Sequence, residues 1–125
     1  MSEITKTIIS EKILHFRGVP VMLDSELAKI YGVETKGFNQ AVKRNIERFP
    51  EEFRFQLTES EFENLRSHFV TSSENYGGRR YIPFVFTEQG VAMLSAILKS
   101  KTAIELSIQI MNAFVQMRQF VASNS

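Results

Sequence analysis

The spacing of apolar positions along the chain changes period several times, and each change marks an element. In KILHFRGVPVML two short apolar runs, Ile13 to Phe16 and Val19 to Leu23, flank Arg17 and Gly18, which predicts a hairpin with Pro20 at a sheet edge. Asp24 is expected to cap a helix from Ser25 to Tyr31 that turns Leu27, Ile30 and Tyr31 inward and stops at Gly32. Thr35 then caps a second helix, with Phe38, Ala41, Val42 and Ile46 on its inner face, until Pro50 ends it. EFRFQL switches to period two, with Phe53, Phe55 and Leu57 inward and Arg54 and Gln56 outward, the pattern of a half-buried strand.

Thr58 and Glu61 have the spacing of a capping box and predict a helix through His68. The turn-rich segment TSSENYGGRR follows, and YIPFVF reads as a fourth strand. Thr87 is expected to cap a helix through Leu98 whose Gly90, Ala92, Ser95 and Ala96 permit close packing. Thr102 and Glu105 form a second capping-box pattern ahead of a last helix of about five turns. The order implies an α+β fold: a small mixed sheet of about four short strands, a helix-turn-helix-like pair and a long C-terminal helix.

With 125 residues, 43% of them hydrophobic, the chain suits one domain with its own core. Residues 1–12 are expected to be flexible, and 120–125 to lead into a further C-terminal region. There is no cysteine, hence no disulfide, thiolate ligand or cysteine nucleophile, and the expected compartment is the cytoplasm. No secretory signal or membrane span is expected, because Thr102 to Ala122 is interrupted by Glu105, Gln109, Asn112, Gln116, Arg118 and Gln119. His15 and His68 lie in different elements without carboxylates at ligand spacing, so no metal and no cofactor is expected. No phosphate-binding glycine loop and no GxSxG elbow occurs, which argues against an enzyme, although carboxylate chemistry leaves no sequence signature.

The net charge of +1 does not announce a nucleic-acid partner, but charge is segregated along the chain. From Thr35 to Arg48, Lys36, Lys43, Arg44 and Arg48 against Glu47 leave +3, and Glu51 to Arg66 carries −3. Leu27, Ala28, Tyr31, Val33, Phe38 and Ala41 would form the seam between the two helices around Gly32. Lys36, Asn39, Gln40 and Lys43, at offsets of 3, 4 and 7, would then share an outward face beside Arg44. Amides there can bond adenine edges, and lysine or arginine can meet guanine or phosphate. An ordinary solvated helix face has the same look, and Gly37 fits either a close phosphate or a forgiving first turn.

Four longer runs then bear on the choice: RGVPVMLDSELAKIYGVETK, VKRNIERFPEEFRFQLTESEFENLRS, GGRRYIPFVFTEQGVAMLSAIL and IQIMNAFVQMR. Together they resemble the ORF-six N-terminal domain of phages, bacteria and large DNA viruses, a relative of the KilA-N and Bro-N domains. The resemblance covers roughly Ile13 to Gln119. It implies a non-catalytic domain that binds double-stranded DNA in a phage-type, prophage-borne regulator or antirepressor-like protein. The alternative is a protein-interaction module that binds a repressor. The candidate DNA-binding residues are Lys36, Asn39, Gln40, Lys43, Arg44, Arg48, Arg79 and Arg80, the last two placed to contact phosphate. Thr102 to Ala122 is the candidate homodimer surface: polar Glu105, Gln109, Asn112, Gln116 and Gln119 on one side leave Ile104, Ile108, Met111, Phe114, Val115 and Val121 over the rest. A central core helix would show the same pattern.

Overall fold

The computed structural model describes residues 9–68 and 81–123. Strands β1 (Leu14–Phe16) and β2 (Val19–Leu23) lead into helices α1 (Asp24–Tyr31) and α2 (Thr35–Arg44) and a 3-10 turn at Ile46–Arg48. Strand β3 (Arg54–Gln56), helix α3 (Glu59–His68), strand β4 (Phe84–Phe86) and helices α4 (Glu88–Ile97) and α5 (Lys101–Ser123) follow. The sheet order is β1-β2-β4-β3, and every pairing is antiparallel rather than mixed. The fold is α+β with a long C-terminal helix, as the periodicities imply.

Both faces of the sheet are covered, which is why VML and FVF are continuous apolar runs instead of alternating ones. Met22 and Phe86 point into a cluster with Leu27, Phe38, Val42, Val91, Leu94, Ile110 and Phe114 from the four helices α1, α2, α4 and α5. Val21, Leu23, Phe55 and Val85 point the other way, against Phe62 and Leu65 of α3. The Phe86 ring meets Phe38 edge-on at 5.5 Å and Phe49 at 5.9 Å, joining α2 and the chain after it to the sheet.

The hairpin turn has positive φ at both Arg17 (56°) and Gly18 (78°), the backbone of a two-residue type I′ turn. An arginine in that region is strained, and its side chain is held in place. Its guanidinium makes two 3.0 Å bonds to the Glu61 carboxylate and lies 4.2 Å over the Phe55 ring. Arg17 thereby ties the hairpin to the start of α3. The Thr58 and Glu61 capping box is formed, with each backbone N–H bonded to the other side chain at 2.8 and 3.1 Å. Thr87 caps α4 by accepting from the Gly90 N–H.

Other local expectations are corrected. Asp24 and Thr35 are the first helical residues and not caps; Leu23 and Glu34 precede the helices without a side-chain bond. The α-helical part of α2 ends at Arg44, where the Asn45 side chain bonds the Ala41 carbonyl at 2.9 Å. The 3-10 turn that follows rotates Ile46 outward, to 49% exposure. Val33, placed in the helix seam from sequence, is 46% exposed, since it closes the Gly32 cap by bonding back to Ala28. Helix α5 starts at Lys101 with Ser100 accepting from the Ala103 N–H, so the cap lies two residues before the expected Thr102. The paired stretch of the last strand covers Phe84–Phe86 alone, and β1 begins at Leu14. Arg54 is half-buried, with its guanidinium 3.7 Å above the Phe84 ring rather than in solvent.

Gly90 sits where α4 crosses the chain before β3. A Cβ there would lie 2.3 Å from the Phe53 carbonyl oxygen, a backbone atom that cannot swing aside. Gly90→Ala should therefore lower unfolding free energy by about 2 to 3 kcal/mol through overpacking, read from denaturant midpoints. An unchanged midpoint would show that α4 can shift freely.

Candidate nucleic-acid interface

Helix α2 is presented by a short, well-defined turn. Gly32 (φ 78°) donates to Lys29 O and Val33 to Ala28 O, the paired bonds of a Schellman cap that halts α1 and turns the chain into α2. Phe38 and Val42 anchor α2 from behind, fully within the core. Helical spacing then leaves Lys36, Gln40, Lys43 and Arg44 exposed, with Arg48 exposed on the 3-10 turn. Among the described residues none of these four cations has an ion-pair partner, in contrast to Lys12, Arg17, Arg66 and Arg118. Gly37 is open as well: a Cβ there meets nothing within 4 Å, so nothing within the described protein demands glycine. Arg79 and Arg80 lie outside the described residues.

Asn39 departs from the expectation of a solvent-facing amide. It is half-buried, and its Nδ2 donates to Asp24 Oδ2 and to the Tyr81 hydroxyl, both at 3.0 Å. Its Oδ1 is buried without a partner. With both N–H groups engaged inside the protein, a bidentate contact to an adenine edge would require this arrangement to open. Gln40, one residue on, keeps an exposed amide.

Asp24 organises the region. It is fully buried at the junction of β2 and α1, and its carboxylate accepts from four donors: Ser25 N, Asn39 Nδ2, the Tyr81 hydroxyl and Phe84 N. Burial pushes its pKa up, and the donors together with the charge of nearby Arg54 only partly offset that. Burial in turn lowers the Arg54 value. Neither Asp24 nor Tyr81 stands out in the sequence as part of the site. The signal was a lone acid between an apolar strand and a helix, which looks the same as a cap.

The sign of the pH effect follows from the raised value. A carboxyl easier to protonate in the folded state contributes stability that is complete below the ordinary aspartate range and is lost as pH rises through the raised value. The stability difference between the wild type and Asp24→Asn should thus move against the wild type from acid toward neutral pH. Urea unfolding at several pH values measures it. Glu61, held low by Arg17, changes stability in the opposite direction but is common to both proteins and cancels in the difference.

Beside this network the surface opens into a groove of about 400 Å³ lined by Thr35, Lys36, Asn39, Gln40, Lys43 and Tyr81. Among the described residues no group of three or more His, Asp or Glu could hold a metal, and no helix is long and apolar enough to cross a membrane.

A small antiparallel sheet, a two-helix unit with a free basic face and a long closing helix define the class of the molecule. The ORF6N domain model matches residues 11–97, and the chain belongs to that family. No curated protein and no solved structure matches it.

Proposed function

We propose that the protein is a sequence-specific binder of double-stranded DNA, a phage-type regulator that works in the cytoplasm by occupying DNA rather than by catalysis. The observation that carries this reading is the face of α2. Among the described residues Lys36, Lys43 and Arg44 have no ion-pair partner, and they surround an amide at Gln40 and an uncrowded backbone at Gly37. The major groove admits a helix, unpaired cations neutralise phosphates, and an amide reads a base edge. Selection of bound duplexes from a random pool, followed by affinity against salt, tests it. Log affinity should fall steeply with log salt for every duplex, and the selected duplex should bind at least about a hundredfold more tightly than a scrambled one. A shallow salt response would favour the second reading, a surface for a repressor protein, toward which the exposed Val33 and Ile46 near the ends of α2 point.

A homodimer through α5 is part of the same proposal, on the part of the sequence-marked surface that the core leaves exposed, Ile104, Ile108 and Val121, with Phe120 added. Ser107, Ile110, Ala113 and Phe114 are spent on the core, and Tyr31 bonds Ser107 at 2.6 Å. Gln109, assigned outward from sequence, has its Oε1 buried. Ile104, Ile108, Phe120 and Val121 remain 41 to 64% exposed. Light scattering at high protein concentration should give a dimer mass for the wild type and a monomer for Ile104→Glu with Ile108→Glu. A monomeric wild type removes the dimer.

A further inference from the structure

Tyr81 closes a ring of three hydrogen bonds at the wall of the α2 groove. Its hydroxyl donates to Asp24 Oδ2 and accepts one Asn39 N–H, while the other Asn39 N–H goes to the same carboxylate oxygen. We infer that Tyr81 is a specificity-determining positioning residue, which through Asn39 fixes the rotation of α2 about its own axis and so the aim of Gln40. The inference rests on the DNA-binding reading.

The other anchors of α2, Phe38 and Val42, are apolar, and apolar contact is not directional. The Asn39 amide, tied to two partners in a defined plane, is directional, and it lies on the groove side between Lys36 and Lys43. A side chain tip about 6 Å from the helix axis moves by about 2 Å when the helix turns by about 20°. That displacement breaks an amide bond to a base edge, whose length varies by only a few tenths of an ångström. Lysine and arginine on long stems still reach a phosphate after the same displacement. The ring of bonds should therefore set discrimination between sites and leave the electrostatic part of binding untouched.

Tyr81→Phe removes one oxygen and keeps the ring. In the wild type the Asn39 side-chain amide protons should be resolved and slow to exchange by NMR, and in the variant they should exchange faster. The affinity ratio between the selected duplex and its scrambled form should drop about tenfold, one good base contact's worth, with the salt slope unchanged. Gln40→Ala should cost much less discrimination in the Tyr81→Phe background than in the wild type, a coupling that a loss of stability alone does not produce. Retention of the ratio within about twofold, or equal Gln40→Ala effects in both backgrounds, overturns the inference while the DNA reading stands. A wild type without salt-dependent duplex binding overturns the DNA reading, and this inference with it. If Tyr81→Phe does not fold by circular dichroism, Asn39→Ala replaces it, with the same expected loss of ratio and the same overturning result.

Discussion

Asp24→Ala is expected to destabilise the protein by about 4 kcal/mol, the largest effect of any single substitution at the site. Four donors converge on this carboxylate, from the start of α1, from α2, from Tyr81 and from β4. All four bonds are part-buried, and a donor left there without a partner costs about 1 to 3 kcal/mol, toward the lower end where water can reach it. Removing the carboxylate also removes the cost of burying it, visible in its raised pKa, which returns a few kcal/mol of the total. The donors prevail because there are four of them and one acid. A domain of this size has about 5 to 15 kcal/mol in all, so the variant should unfold at much lower urea and lose α2 and β4 contacts together. A midpoint shift worth less than about 1 kcal/mol would mean that water replaces the carboxylate and that the network is not a structural keystone.

The second large effect concerns binding. Lys36→Ala, Lys43→Ala and Arg44→Ala combined should lower affinity for all duplexes by about 10² to 10³-fold near 0.1 M salt and flatten the slope of log affinity against log salt by about 3. All three side chains are exposed and free of ion pairs among the described residues, so the circular dichroism spectrum and unfolding midpoint should hardly change. The selected and scrambled duplexes should weaken alike, because phosphates carry no sequence information. Wild-type affinity in the triple variant would move the interface off α2 altogether.

What could be read from the sequence divides by the range of the interaction that decides it. The Thr58 and Glu61 partners are three positions apart, and both bonds of their box form as expected, as does the Gly32 stop. The α+β order followed from periods of two and of 3.6, which also act locally. Asp24 reads as a cap because its own neighbourhood permits one. Its actual partners Asn39, Tyr81 and Phe84 are 15, 57 and 60 positions away, and no short-range pattern carries that information. The same holds for Asn39, whose spacing with Lys36 and Lys43 put it on the outer face, while a buried acid behind α2 draws its amide inward. Periodicity also overestimated how far α2 runs, since the Asn45 side chain competes for the Ala41 carbonyl and Ile46 turns out to solvent. The basic stripe survives these changes because its members depend only on which side Phe38 and Val42 take.

The sheet order has a consequence for how the molecule is assembled in time. Strand β2 pairs not with its successor in sequence but with β4, with Met22 opposite Phe86, so the pairing spans a loop that contains α1, α2, β3 and α3. Closing such a loop is entropically costly before any contact repays it, and chains dominated by distant pairings fold slowly. Phe86, against which Phe38 packs, arrives only with that closure. The α1 and α2 hairpin should accordingly be a late, dependent unit that cannot be excised as a short peptide or grafted onto another scaffold with its geometry intact. A ribosome-bound chain that has not yet exposed β4 would carry the basic helix without the surface that aims it, so on the DNA-binding proposal any affinity for duplex would precede preference among duplexes.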